Sequence, residues 1–389
     1  MRISRSDRNL LTDWWFTVDR LVLSAILVLI GVGLVVSLAA SPAVALKKGL
    51  APFHFVERHA IFAAGGVGLM LAVSLLSPRA IRRLSLVMFL AALTAMVAVL
   101  FTGVEINGSR RWLAVAGFSL QPSEFAKPAF VVVSAWAFAE SRRQPEMPAL
   151  SLAMLLYAGF SALLLLQPDV GQTLLVGLVW GMLFVLSGQP ILRALCFALA
   201  GALGLLVSYH SFDHVRVRFD RFLNPAPADN SQTERAIQSF MEGGFLGRGP
   251  GEGTIKGGLP DAHTDFIFAV VAEEYGVLAC LALVGLLAFV VLRALSRLGA
   301  QPDRFTHHAV AGLSVLFGLQ AVINMAVNVG LIPAKGMTLP FISSGGSSLL
   351  AVSLTMGMVL ALTRSQPDPL RLKWPRLPAT PDNLKRTGS

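Results

Sequence analysis

The sequence predicts an all-α, polytopic integral membrane protein of about ten transmembrane helices, and three observations carry that prediction. Hydrophobic residues make up 54% of the chain and charged residues only 14%, where a soluble domain carries about 25% charged residues. Mean hydropathy is +0.67. The apolar runs reach the roughly 20 residues that a hydrocarbon core demands. They are continuous rather than alternating, so helices and not barrel strands satisfy the backbone inside lipid.

In chain order the runs fall near residues 20–41, 59–77, 84–103, 123–140, 150–166, 170–188, 190–209, 266–292, 308–330 and 345–363. The first follows a charged leader and precedes "AASPAVA" (39–45), whose small residues resemble a peptidase site. It is long for a signal peptide core and reads as an uncleaved helix. Cys196 and Cys280 both lie inside apolar runs, which leaves neither a disulfide framework nor metal-ligand spacing.

Basic residues set the orientation. With the N-terminus inside, the cytoplasmic face collects Arg2, Arg5, Arg8, Arg20, Arg79, Arg82, Arg83, Arg142, Arg143, Arg193, Arg293, Arg297 and Arg304, plus six more from Arg364 onward. The short outer loops hold only Lys47, Lys48, Arg58, Arg110, Arg111 and Lys335. Thirteen plus six against six places both termini inside. The net charge of +10 therefore reflects topology and contact with anionic lipid. No RNP-like, helix-turn-helix or zinc-finger pattern is present, so nucleic acid is not an expected partner. Residues 1–19 read as a cytoplasmic segment, 20–364 as the membrane domain, and 365–389, polar and proline-rich, as a disordered cytoplasmic tail.

Three longer connections, 104–122, 210–265 and 331–344, fall on the outer face. The large extracytoplasmic loop 210–265, before helix 8, is too long to be a simple link. Its stretches "VRVRFDRFL" (215–223) and "AIQSFMEGGFLG" (236–247) are amphipathic, which favours helices along the membrane surface. Function is expected on this face.

Several constellations there suit chemistry. "GGFLGRGPGEGTIKGG" (243–258) sets eight glycines around Arg248 and Lys256. It reads either as a cradle of backbone amides for a diphosphate or as a hinge, and it lacks the Gly-Lys-Ser/Thr of a Walker A loop. In "QPSEFAK" (121–127), Glu124 and Lys127 stand i, i+3 at a depth where each ionised group costs roughly 2.5–3.5 kcal/mol. They form a structural or a functional pair, and Pro128 predicts a kink beside them. Glu273 and Glu274 follow Asp265 by eight and nine positions. At most one shares its helix face, and a buried cation such as Lys127 is the expected partner of at least one. Asp169 in "QPDVGQTLL" (167–175) reads as an N-cap at a tight outer turn. Gln320, Asn324 and Asn328 recur at spacing four, a stripe suited to hydrogen bonds between helices. "NVGLIPAKGMTLPFISSGGSSLL" (328–350) adds Lys335 and a Ser/Gly cluster that can cap the last helix. Finally, "LPDAHTDFIF" (259–268) puts Asp265, beside His263 and Thr264, at the mouth of an apolar helix. That position suits an N-cap as well as a base.

Five of these motifs ("QPSEFAK", "QPDVGQTLL", "GGFLGRGPGEG", "LPDAHTDFIF" and "NVGLIPAKGMTLPFISSGGSSLL"), with "NGSRRWL" (107–113) as the sixth, resemble in their order the SEDS family (shape, elongation, division and sporulation) across about residues 20–364. The "PAKGMTLPFISSGGSS" run is closer to division-type than to elongation-type members, with Ser344 where relatives often carry tyrosine. The resemblance implies a ten-helix glycosyltransferase that polymerises lipid II into peptidoglycan strands at the outer face of the bacterial cytoplasmic membrane, at the division septum. It places the catalytic base at Asp265 and draws a substrate-binding set from Arg110, Glu124, Lys127, Asp169, Arg216, Arg248, Lys256, His263, Lys335, Ser343 and Ser344. The departing diphosphate calls for cations, from loop arginines or from a divalent metal, Mg or Mn. Implied partners are lipid II, the polyprenyl-diphosphate-linked glycan, a class B penicillin-binding protein (a transpeptidase) and other division-machinery membrane proteins. A lipid II flippase is the alternative, and a scaffold that only recruits the transpeptidase leaves the outer-face motifs unexplained.

Overall fold

A computed structural model of the chain describes residues 10–106, 109–115, 118–144, 146–211, 216–217, 220, 232–259, 261–300, 303–333 and 336–364. Helices α1 (Leu10–Thr17), α2 (Arg20–Lys47), α3 (His54–Ser74) and α4 (Pro78–Thr102) lead into a small sheet. After it come α5 (Pro122–Arg143), α6 (Ala149–Leu166), α7 (Val170–Leu186), α8 (Ile191–Ser211), α9 (Gln232–Gly243), α10 (Ile267–Ser296), α11 (Arg304–Asn328) and α12 (Gly346–Leu362). Each of the ten expected apolar runs coincides with a helix. Seven of these helices are long and apolar enough to cross a membrane, while α7 and α12 are apolar but shorter, and α5 carries charge in its first turns. Local chemistry starts several helices: Asp19 accepts from the Leu21 and Val22 amides, Ser77 caps α4 with proline behind it, and Asp303 caps α11.

Buried position runs against polarity. α5 packs against α4, α6, α7, α11 and α12 and is buried along nearly its whole length, through Pro128 and past Lys127. α8, apolar between Arg193 and Ser208, packs mainly on α7, and none of its described side chains is buried. In lipid there is no hydrophobic penalty for that exposure, so packing and polar contacts decide which helix is central.

One end of the bundle gathers basic residues. Asp19 receives Arg293 at 3.0 Å and Arg297 at 2.7 Å, Arg364 donates to Thr17 Oγ1 at 3.0 Å, and Arg82 lies over Phe305 at 5.0 Å. It is the end that the charge count assigns to the cytoplasm.

Two features differ from the sequence reading. The chain is not purely helical: β1 (Val104–Ile106), β2 (Ser109–Val115) and β3 (Phe118–Leu120) form an antiparallel sheet in the order β1-β2-β3. α10 is also broken at Gly276, whose φ of 80° and ψ of 175° are not helical. The tail 365–389 and most of "VRVRFDRFL" lie outside the described residues.

Candidate active site

The break at Gly276 explains the glycine-rich loop. A helix that stops and restarts orphans amides and carbonyls on both sides of the gap. Here the loop backbone supplies them: Val277 N donates to Gly244 O (2.9 Å) and Leu278 N to Phe245 O (3.3 Å), while Arg248 N and Gly249 N donate to Glu273 O (2.9 Å) and Glu274 O (3.0 Å). Such contact of backbone with backbone leaves no space for side chains. A Cβ on Gly243 would collide with Ala272 O, one on Gly247 with Glu274 O, and one on Gly276 with Phe245 O. Of the two readings left open for this stretch, cradle or hinge, neither describes these contacts: these glycines seat the loop on the helix break.

The cations of that loop are engaged as well. Buried Lys256 pairs with Glu274 and donates to Gly251 O at 3.1 Å. Glu273 accepts from the Ile255 amide at 2.7 Å and the Lys256 amide at 2.9 Å. Arg248 pairs with Glu242 at the surface. Neither Glu273 nor Glu274 meets Lys127, which corrects that expectation too. Lys127 Nζ instead contacts Glu124 Oε1 and Gln172 Oε1, each at 2.9 Å, and Gln172 Nε2 donates to the same Glu124 oxygen at 3.0 Å.

Asp169 joins this buried cluster. It caps α7 by accepting from Gln172 N at 3.3 Å, as its position predicted, and it pairs with Arg111 at 3.3 Å. Burial raises its pKa, with Arg111 opposing. Arg111, which the sequence reading passed over, also donates to Gln167 O at 2.9 Å and to Pro168 O. Its neighbour Arg110 points to the other side of β2 and makes an exposed pair with Glu105 at 3.4 Å. Adjacent strand residues face opposite ways, and that period was hidden while 104–122 read as a loop. A cavity of about 10 Å³, room for roughly one water, lies beside the cluster, lined by Glu124, Lys127, Phe317, Gln320 and Thr355.

The turn before α10 is built differently. Asp261, at φ 54°, offers its carbonyl to the amides of Thr264 (3.0 Å) and Asp265 (3.1 Å). Ser343 Oγ donates to Thr264 O at 2.6 Å and Ser344 Oγ to His263 O at 2.8 Å. The two serines thus hold this turn and do not cap α12, whose N-cap is Gly345. His263 is buried and lies tilted against Phe55 with ring centroids 4.1 Å apart. Burial, and then the Lys48 charge, hold its pKa down at about 4, so it is neutral at ordinary pH. The imidazole lies under the surface and does not serve as an open ligand for an anion.

Asp265 is half-buried. It does not cap α10: the N-cap is Phe266 and no side chain bonds there. Among the described residues no cation and no hydrogen-bond donor engages its carboxylate, and one oxygen lies 3.6 Å from the place of a Cβ on Gly336. Burial, and then the charge of Asp261, push its pKa up to about 7. A carboxylate poised near neutrality at a turn of the bundle is equipped to accept a proton. Lys335, next to Gly336, lies outside the described residues, and Arg216 is exposed on the described part of the long loop.

The two groups are linked. Gln320, which lines the cavity beside Glu124, donates to Thr338 O at 3.3 Å, and the 337–344 segment carries the serines that hold the Asp265 turn.

Comparison with known proteins places this arrangement. Residues 19–367 match the family model FTSW_RODA_SPOVE, described as "Cell cycle protein". The "Probable peptidoglycan glycosyltransferase FtsW" of Caulobacter vibrioides (strain NA1000 / CB15N) is similar at 48% identity over 365 residues, covering 94% of each chain. A solved chain from work on "structural coordination of polymerization and crosslinking by a peptidoglycan synthase complex" is similar with TM-score 0.72 and 28% identity, covering 89% of this chain and 97% of that one. The rod shape determining protein RodA of Thermus thermophilus is similar with TM-score 0.68 and 27% identity, covering 91% and 99%. The chain belongs to the FtsW/RodA/SpoVE family of cell cycle proteins.

Proposed function

We propose that this multi-pass membrane protein is a peptidoglycan glycosyltransferase that polymerises lipid II, with Asp265 as its general base. The single observation that carries the residue assignment is the Asp265 carboxylate, half-buried, raised to about 7 and unengaged among the described residues. The activity is supported by the Caulobacter relative, whose name states it.

The reaction is an inverting transfer. Asp265 accepts the proton of the GlcNAc 4-hydroxyl of one lipid II as that oxygen bonds to the anomeric carbon of the strand's terminal MurNAc. The bond from that carbon to the diphosphate breaks, and polyprenyl diphosphate leaves with the electron pair. A carboxylate at the ordinary value of about 4 is a weak base for a hydroxyl, and one near the working pH is better matched. A divalent cation, Mg or Mn, is proposed only from the chemistry of the diphosphate. The described residues gather no group of three or more His, Cys, Asp or Glu, so such an ion would be held mainly by phosphate oxygens and water. No step is routed through it.

The setting follows the same reading: ten spans in the bacterial cytoplasmic membrane, both termini inside, the 210–265 loop outside, and a septal location beside a class B penicillin-binding protein. The similarity to a chain of a synthase complex supports a partner of that kind. Cysteines introduced at Ser231 and Thr387 test the topology: an impermeant thiol reagent on intact cells should label the first only.

Purified protein, with and without its transpeptidase, assayed for glycan product from lipid II tests the activity. Polymer is expected from the wild type and about 10²- to 10⁴-fold more slowly from Asp265→Asn. Polymerisation by a well-folded Asp265→Asn protein at the wild-type rate would remove the base assignment, and transport of lipid II without polymer would favour a flippase.

A further inference from the structure

The main chain of the turn bearing Asp265 is gripped carbonyl by carbonyl from other elements. Beyond the two serine contacts to residues 263 and 264, the Nδ2 groups of Asn324 and Asn328 both donate to Asp265 O, each at 2.9 Å. Asn324 Nδ2 also donates to Met337 O at 2.6 Å, which ties the segment beside the carboxylate to the same fastening.

Asn328 does something more specific. Its Oδ1 accepts the Ala269 amide at 3.0 Å while its Nδ2 donates to Asp265 O. In an uninterrupted helix, the carbonyl of residue 265 would accept from the amide of residue 269 directly. One carboxamide therefore stands inside that i→i+4 pair as donor on one side and acceptor on the other. Both asparagines are buried, Asn324 at 1% and Asn328 at 0% exposure, so water does not compete for these bonds.

We infer that Asn328, assisted by Asn324, is a positioning residue for glycosyl transfer: its carboxamide keeps Asp265 out of α10 and so holds the base carboxylate beside Gly336. Without it, Asp265 O keeps only the Asn324 bond and Ala269 N only its bond to Phe266 O at 3.1 Å, so the direct i→i+4 pair can form and α10 winds back through Asp265. The carboxylate is then drawn to the open amides of the first turn, which bind an aspartate well, and it leaves the reacting hydroxyl. The inference rests on the reading of Asp265 as base.

The test uses full-length protein and lipid II. Asn328→Leu keeps volume in an apolar setting and removes both bonds. The expected result is protein with wild-type folded yield, kcat lower by about 10- to 100-fold, as an ångström-scale misplacement produces, and KM for lipid II within about twofold. Asn328→Gln, which keeps both polar groups, should recover part of kcat. On an Asp265→Asn background Asn328→Leu should cost nothing further, because the group it positions is gone. Asn324→Ala leaves the Asn328 bridge in place and should lower kcat less.

Wild-type kcat in Asn328→Leu overturns the inference. So does a loss that merely follows the folded fraction, a loss additive with Asp265→Asn, or failure of both Asn328→Leu and Asn324→Ala to fold, since the stripe would then serve the fold alone. The two levels separate cleanly. If Asp265→Asn polymerises normally, the base reading falls; if it is inactive while Asn328→Leu keeps kcat, only the positioning role falls.

Discussion

Two regions of this protein bury carboxylates and treat them in opposite ways. At the head of α5, Glu124 is met by Lys127 and Gln172, and Asp169 by Arg111 and a helix amide. At the turn before α10, Asp265 is held firmly through its main chain, while its carboxylate is met by no described cation. The first region neutralises what it buries, which is what stability asks of ionised groups in a low-dielectric setting. The second offers the charge no counter-ion among the described residues and carries the cost of burying it. Glu124, Asp169 and Glu274 each have a cation within reach, and among the described residues Asp265 has none.

The comparison breaks most readily at Asp265. Asp265→Asn should lower the polymerisation rate by about 10² to 10⁴-fold. Stability should move the other way. The folded-state pKa, about 7, lies above the ordinary value of 3.8, so the folded protein binds this proton more tightly than the unfolded chain. That contribution is full below pH 3.8 and is lost as pH rises through 7. At pH 8 the carboxylate weakens the fold, so Asp265→Asn should raise the melting temperature; a lower value would show that the carboxylate has a stabilising partner. In the wild type, kcat/KM should fall about tenfold per pH unit on the acid side of pH 7, and a flat profile down to pH 5 would contradict a base titrating there.

At the other region the expected loss is structural. Lys127→Met leaves Glu124 buried without its cation, which costs about 3 to 5 kcal/mol and should appear as lost folded yield in detergent. Glu124→Gln in the same chain should restore much of it, while Glu273→Gln and Glu274→Gln should not. Coupling to Glu274 equal to that with Glu124 would contradict the observed pairing.

A smaller effect is expected at the helix break. Gly276→Ala places a Cβ against the Phe245 carbonyl, at a φ of 80° and ψ of 175°, where a side chain costs about 1 to 3 kcal/mol before any clash. Melting temperature should fall and proteolysis within 243–258 should rise, with KM for lipid II unchanged in the protein that remains folded. A selective rise in KM would return the loop to the role of a phosphate cradle.

How much of this was legible in the sequence depended on whether partners were near in the chain. The ten apolar helices could be read because an apolar run needs only its own residues, and Asp169 as a cap because capping is local. Glu124 with Lys127 was visible at i, i+3. The partner of Glu274 was not, because Lys256 reaches it only after the loop folds back on a helix break that hydropathy cannot register. Ser343 and Ser344 were credited to the nearer helix for the same reason, although their hydroxyls reach about 80 residues back, to the Asp265 turn. The polar stripe on α11 was recognised as a source of hydrogen bonds, but nothing in its spacing names Asp265 O as the target.

The smallest effect should come from Arg248, one of the two loop cations that the sequence offers to a diphosphate. Its guanidinium pairs with Glu242 near the surface and also donates to Thr254 Oγ1 at 3.2 Å. Exposed pairs of this kind contribute about 0 to 1 kcal/mol. Its backbone amide, which bonds Glu273 O across the helix break, is kept in any substitution except proline. Arg248→Ala should therefore change stability by less than about 1 kcal/mol and leave polymerisation near the wild-type rate. A large rise in KM for lipid II with unchanged stability would mean that Arg248 leaves Glu242 for the substrate's phosphates. The contrast between the paired carboxylates and Asp265 would then have to include a cation that changes partners during the reaction.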